Sequence, residues 1–170
     1  IDQIMFMYPD KITSVYAKLY KVVNEFVDDY FRLVITLERG LTVHFEANTC
    51  AFRPMPRWLL TGKIGSMTID GWGAEGGITR ARGLEVKIEP VIVMTTAGPT
   101  RTMAPQPEET KEELPLPKVS GTWTDFYRNV AAAIEGKEEL IVKPSEVRRV
   151  LQVIEAAFES DRLGRSMDVD

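Results

Sequence analysis

Between Tyr30 and Asn48 the chain alternates apolar and polar residues with a period of two, through YFRLVITLERGLTVHFEAN. Phe31, Leu33, Ile35 and Leu37 share one parity, and Leu41, Val43, Phe45 and Ala47 share one in the second run. A helix would scatter these side chains around its circumference. An extended strand places them on a single face, because successive side chains point to opposite sides. Gly40 falls between the two runs, where a tight reversal asks for a positive φ, so the segment is predicted to be an antiparallel hairpin. Its opposite face carries Arg32, Thr36, Thr42, His44, Glu46 and Asn48. One side of this hairpin must be covered, and the other is left open.

The rest of the chain extends the pattern. A short helical stretch at the start is closed by Pro9 and Asp10, and residues 12–22, rich in Val, Tyr, Thr and Ser, read as a strand. RWLLTGKIGSMTID holds two short apolar runs around the turn from Gly62 to Gly65, a second predicted hairpin. ITRARGLEVKIEPVIVMT supplies further extended segments, with Leu84, Val86 and Ile88 alternating against Glu85, Lys87 and Glu89. Residues 97–120, AGPTRTMAPQPEETKEELPLPKVS, are rich in proline and acid and read as a surface excursion without helix or strand, a passive connection or a functional lid. Two helices come next. The first is capped by Thr122 with Asp125 three residues on, and repeats Trp123, Phe126, Tyr127, Val130, Ala131 and Ile134 up to Gly136. The second starts at Pro144, repeats Val147, Val150, Leu151, Ile154 and Phe158, and ends before Gly164. Strands first and helices last, each helix with an apolar stripe, predict an α+β fold. Its core is an open, mainly antiparallel sheet with helices packed on one face.

Size and charge exclude several functions. At 170 residues with 44% hydrophobic content the chain can bury one core and reads as a single domain. A net charge of -4 without a basic block argues against nucleic-acid binding. Cys50 is the only cysteine, so neither an internal disulfide nor a cysteine-based zinc site can form, and a cytoplasmic setting is expected. No run approaches the roughly 18 apolar residues of a membrane-spanning helix. The chain opens at Ile1 within an apolar helical stretch, as expected of a piece of a longer protein.

Candidate chemistry is sparse. Gly71, Gly73 and Gly76 in GWGAEGG match the dinucleotide fingerprint G-x-G-x-x-G, which needs a helix after it to present free N–H groups to a pyrophosphate. The next segment, ITRARGLEVKIEP, alternates with period two, so the glycines read as a turn between strands with Trp72 at the sheet edge, and no cofactor site is assigned to this chain. His44, the only histidine, lies on the polar face beside Glu46, where it is either a hydrogen-bonding residue or a contact to a ligand or neighbouring chain. Arg53, Arg57 and Trp58 in RPMPRW offer forked donors and a flat apolar surface at a sheet end. They form a candidate substrate-facing loop, with plain packing as the alternative. Glu25, Asp28 and Asp29 lack a His or Cys at ligand spacing, so no metal site is expected. Tyr16, Tyr20, Tyr30, Val34 and His44 make the open face unusually aromatic and mark it as a candidate oligomer interface.

The C-terminal stretch FYRNVAAAIEGKEELIVKPSEVRRVLQVIEAAFESDRLGRSMDV resembles the end of the Gfo/Idh/MocA oxidoreductases, the glucose-fructose oxidoreductase and inositol dehydrogenase group. It shows their P-x-E helix start and closing I-x-A-A-x-x-S-x-x-x-G. The opening IDQIMFMYPDKITSVYA is similar to the family segment after the D-x-x-x-H pair, and PRWLLTGKIGSMTID to its strand-turn-strand R-x-x-x-x-G-x-x-G-S. The resemblance implies a dihydrodipicolinate-reductase-like C-terminal domain. It also implies a parent whose missing N-terminal Rossmann domain binds NAD or NADP, and whose catalytic histidine falls before Ile1. That parent would transfer a hydride to or from a sugar or cyclic polyol, with this chain as its substrate-binding and homo-oligomerisation domain, inactive alone and without catalytic residues of its own. The reading outside the family is a stand-alone, non-catalytic ligand-binding or dimerisation module.

Overall fold

The computed structural model describes residues 1–73, 75–84, 91–102, 107–118 and 121–169. The chain divides into two compact units, Ile1–Phe52 with Gly121–Asp170, and Arg53–Ser120.

The first unit opens with a helix, α1 (Asp2–Met7), and three long strands, β1 (Ile12–Tyr20), β2 (Tyr30–Leu37) and β3 (Thr42–Asn48). The last two form the predicted hairpin, with Gly40 at φ 84 in its turn. Register sets the apolar positions side by side: Ala17 opposite Leu33, Leu33 opposite Phe45, and Val15 opposite Ile35, which faces Val43. After the second unit the chain adds α2 (Trp123–Ile134), α3 (Pro144–Leu163) and a two-residue strand, Met167–Asp168. That short strand, β10 once the second unit's β4 to β9 are counted, pairs with Ser14 and Val15 to give the order β10-β1-β2-β3.

The core lies between this sheet and α3. Val15, Ala17, Leu33, Ile35 and Leu37 meet Val153 and Ala157, with Met5 of α1 and Ile12 closing one end. Fully burying an aliphatic side chain of this kind contributes about 1.5–3 kcal/mol, so this layer dominates the unit's stability. A polar seam runs beside it. Beyond Val15 the outer edge of β1 is met by side chains of α3: the hydroxyl of Ser160, fully buried, accepts the Ala17 N–H at 2.9 Å, and Asp161 accepts that of Leu19 at 3.2 Å. Ser160 also donates to the carbonyl of Arg165 at 2.7 Å, tying the turn after the helix to the same point.

α2 behaves differently from expectation. Its start is as predicted, with Thr122 and Asp125 forming a reciprocal capping box. The stripe of the helix, however, stays open: Trp123 is 88% exposed and Ile134 82%. The buried side chain is Asn129, which donates to Glu138 and to the carbonyl of Glu139 and accepts the N–H of Ile141. Periodicity identifies a face that can be buried; it does not specify what buries it.

The second unit holds β4 (Trp58–Gly62), β5 (Gly65–Ile69), β6 (Gly76–Ala81) and β9 (Lys111–Leu114) in one antiparallel sheet. A separate two-stranded ribbon pairs β7 (Val91–Thr95) with β8 (Gly98–Thr102). The α+β class, with antiparallel sheets and accompanying helices, is as read from periodicity. The excursion at 97–120 is a correction: it contains β8, a 3-10 turn at Glu108–Thr110, and β9. β9 reads KEEL, without an apolar period, and is fixed by cross-strand polar pairs, Arg80 with Glu112 at 2.5 Å and Thr79 with Glu113 at 2.7 Å. The strand expected through Leu84, Val86 and Ile88 lies mostly outside the described residues, and Arg82–Leu84 forms a 3-10 turn.

Candidate functional site

Arg57 and Trp72 form the most specific side-chain arrangement in the second unit. β4 and β5 pair Trp58 with Ile69, which brings the residue before β4 close to the turn after β5. Across that gap the Arg57 guanidinium sits 3.9 Å from the centroid of the Trp72 ring. The turn is closed by the Asp70 N–H donating to the carbonyl of Glu75 at 2.7 Å, and Trp72 is 87% exposed. A guanidinium stacked on one face of an indole leaves the other face free as a flat apolar plate beside forked donors. Such a plate can receive the C–H face of a ring while polar groups at its margin meet hydroxyls. Arg53 is exposed on the preceding loop, and Trp58 is half-buried at the strand start. The sequence marks Trp72 only as an edge residue, since nothing local reveals that Arg57 lies over it.

His44 belongs to the first unit, exposed on β3. It stands opposite Val34, which stands opposite Tyr16, so the three make one cross-strand row. The next rows are Lys18, Arg32 and Glu46, then Tyr20, Tyr30 and Asn48. The Tyr20 and Tyr30 rings stack at 5.0 Å, and the Arg32 guanidinium lies 5.2 Å over Tyr30 while pairing with Glu46 at 3.2 Å. Burial, then the hydrogen bond with Glu46, pushes the Tyr30 phenol up; a hydrogen bond with Glu46, first among its causes, also raises Arg32. Tyr16, Tyr20, Tyr30, Val34 and His44 thus share the sheet face opposite the core.

The other candidates resolve structurally. GWGAEGG links β5 to β6, so a strand comes after the glycines and no helix N-terminus is available for a pyrophosphate. Gly76 has φ 144, and a Cβ there would overlap the carbonyl oxygen of Thr68, so it serves strand pairing. Cys50 is half-buried, beside the Thr49 hydroxyl at 3.7 Å. No cluster of His, Cys, Asp and Glu suited to a metal occurs among the described residues, and none of their helices is long and apolar enough to cross a membrane. Asp29, adjacent to Asp28, accepts the N–H groups of Val22, Val23 and Asn24 at 2.6–2.7 Å. These bonds, that of Val22 first, hold its carboxyl below its ordinary range. A shallow depression of about 300 Å³ along α3 and β10, lined by Glu155, Glu159 and Asp168 among others, gathers none of the sequence-predicted residues.

Comparison with known proteins defines the class. The chain matches the model of the oxidoreductase family, C-terminal alpha/beta domain, over residues 1–169, and belongs to that family, the Gfo/Idh/MocA oxidoreductases. Among solved structures it is similar to an NAD-binding protein from Listeria innocua, with 35% identity and a TM-score of 0.84, covering 98% of this chain and 48% of that one. The WlbA dehydrogenase from Bordetella pertussis, solved with NADH and UDP-GlcNAcA, shares the fold at 14% identity and a TM-score of 0.63, over 99% of this chain and 42% of that one. An aldose-aldose oxidoreductase from Caulobacter crescentus, complexed with glycerol, does so at 16% identity and a TM-score of 0.64, over 99% and 44%. The chain therefore spans about half the length of these structures. None of the curated proteins matches it.

Proposed function

We propose that this chain is the substrate-binding and oligomerisation half of an NAD(P)-dependent oxidoreductase that acts on a sugar or cyclic polyol by hydride transfer. The observation that carries the reading is the family match over residues 1–169, together with coverage of only about half of a 35% identical NAD-binding protein. The glycines of this chain do not fit a dinucleotide, because they lead into β6, so the nucleotide belongs on a domain ahead of Ile1, with the catalytic base. Sugar-type ligands are those of the nucleotide-sugar and aldose relatives, and the Arg57–Trp72 plate suits a ring with hydroxyls at its rim. Arg53, Arg57 and Trp58 of the second unit are the proposed substrate-facing residues there, and His44 of the first unit is proposed separately as a contact to a ligand or to the neighbouring chain. The sheet face of Tyr16, Tyr20, Tyr30, Val34 and His44 is the proposed homo-oligomer contact, in a protein that works in the cytoplasm.

The test compares the full-length parent with residues 1–170 alone. The parent binds NADH or NADPH saturably, read by nucleotide fluorescence, and oxidises a sugar or polyol with NAD(P) reduction. The isolated chain binds neither above background and turns nothing over. Saturable nucleotide binding by the isolated chain, or a parent that binds no nucleotide, refutes the proposal.

A further inference from the structure

The Arg57 guanidinium is held in place without an oxygen to meet its donors. Elsewhere in the described residues Arg32, Arg39, Arg80, Arg128 and Arg162 each pair with a carboxylate, and Arg82 and Arg149 donate to backbone carbonyls. Arg57 makes neither kind of contact among the described residues; its partner is the Trp72 ring, 3.9 Å from the guanidinium carbon. An aromatic face meets the charge of a guanidinium and leaves its forked N–H donors without an acceptor. The acids close by do not supply one. Asp70 and Glu75 stand on the same turn as Trp72, and neither pairs with Arg57; the Glu75 carboxylate is folded back into the space that a side chain at Gly71 or Gly73 would need. Arg53, exposed on the same loop, is also without an ion pair among these residues.

Both halves of the stack stand on fixed backbone. Pro54 and Pro56 stiffen the approach to Arg57, and β4 starts at the next residue, where Trp58 pairs with Ile69 at the end of β5. Trp72 follows three residues later, on the turn closed by the Asp70 N–H and the Glu75 carbonyl, and β6 opens at once with Gly76 paired back to Ile69. A free arginine gives up much rotamer freedom when it binds a ligand. One already resting on a ring has given up part of it, so its fork is organised before the ligand arrives. The fork matches the two oxygens of a carboxylate or a phosphate, and hydrogen bonds of this charged kind are among the strongest a surface can offer.

We propose that Arg57 is an anion anchor, and that the ligand of this loop is an acidic sugar or polyol, a hydroxylated molecule that carries a carboxylate or a phosphate. The proposal rests on the substrate-facing reading of the loop put forward above and narrows it. A neutral sugar can lay its C–H face on Trp72, 87% exposed, but offers the guanidinium only hydroxyl oxygens. An acidic sugar uses both groups at once: its apolar face covers the indole, and its oxyanion accepts from the fork beside it. The same pair of side chains therefore selects the acid over its neutral analogue, which makes Arg57 a specificity-determining residue.

The test is isothermal titration of the full-length parent with D-glucuronate, D-glucose 6-phosphate and D-glucose, with and without saturating NAD(P)H, comparing wild type, Arg57→Ala and Arg57→Lys. Nucleotide affinity, measured first, checks that each variant is folded and should not change. The expected result is that wild type binds one of the two acids about tenfold or more tighter than D-glucose. Arg57→Ala brings that acid to the level of D-glucose, and Arg57→Lys, which keeps the charge but loses the fork, recovers only part of the difference. The acid that binds more tightly assigns the anion as carboxylate or phosphate. Equal binding of acids and D-glucose by wild type, an acid preference that survives Arg57→Ala, or no binding of any of the three overturns the anchor, and with nucleotide binding intact it leaves the oxidoreductase reading standing. A parent that binds no nucleotide overturns that reading, while the titrations without nucleotide still decide the anchor.

Discussion

Replacing Ser160 with alanine removes one oxygen from a fully buried position and tests how the sheet edge is closed. The hydroxyl accepts the buried Ala17 N–H at 2.9 Å and donates to the carbonyl of Arg165 at 2.7 Å. In the variant, the Ala17 N–H points outward from β1 at a position β10 does not reach, toward a methyl group. Leaving a buried backbone donor unpaired costs about 1–3 kcal/mol. Alanine is the better helix former by about 0.5 kcal/mol, which offsets part of this. The net expectation is a loss of about 1.5 kcal/mol, or about 3–6 °C in Tm for a chain of this size. Urea unfolding gives the free energy, and amide hydrogen exchange at Ala17 gives the local effect, which should fall in protection more than Val15 does. A loss under about 0.5 kcal/mol with Ala17 protection unchanged would refute the reasoning, since it would mean that the helix packs on the sheet without needing this hydrogen bond.

Single residues elsewhere carry further expectations. Gly76→Ala, at φ 144 with a Cβ that would meet the Thr68 carbonyl, should destabilise the second unit by about 1–3 kcal/mol, whereas Gly77→Ala, with nothing nearer than 3.7 Å, should be nearly silent in the same urea melts. The Asp29 carboxyl is held below its ordinary value by the amides of Val22, Asn24 and Val23. Its stabilisation should be complete above the unfolded value of about 3.9 and vanish as pH falls through the lower folded value, a loss that Asp29→Asn should abolish in acid unfolding curves. Under the proposed function, Arg57→Ala in the full-length parent should raise KM for its substrate and shift the Trp72 emission; unchanged KM and kcat with an unchanged spectrum would remove this loop from the proposed substrate-facing residues.

The first unit's strands are legible because each buries one face against a continuous layer, so every second residue from Phe31 to Leu37 has to be apolar. α3 is legible for the same reason, and its Pro144 start and Gly164 stop are local chemistry: the glycine takes the left-handed conformation at φ 66. Even the false nucleotide fingerprint can be dismissed from its flanks. β9 is hidden because KEEL has no hydrophobic period; the fourth strand of that sheet exists through Arg80 and Thr79, more than thirty residues earlier in the chain.

The candidate sites divide along the same line. Which residues share the open face is a matter of parity along three strands, and Tyr16, Tyr20, Tyr30, Val34 and His44 can be assigned to it from the sequence. Their rows, and the stacking of Tyr20 on Tyr30, need the register. The pairing of Arg57 with Trp72 and the closure of Ala17 by Ser160 are decided only by tertiary structure. Local sequence encodes period, caps and turns through interactions within a few residues, whereas a guanidinium over an indole 15 positions away, or a hydroxyl meeting an amide 143 positions away, depends on how the strands and helices are brought together.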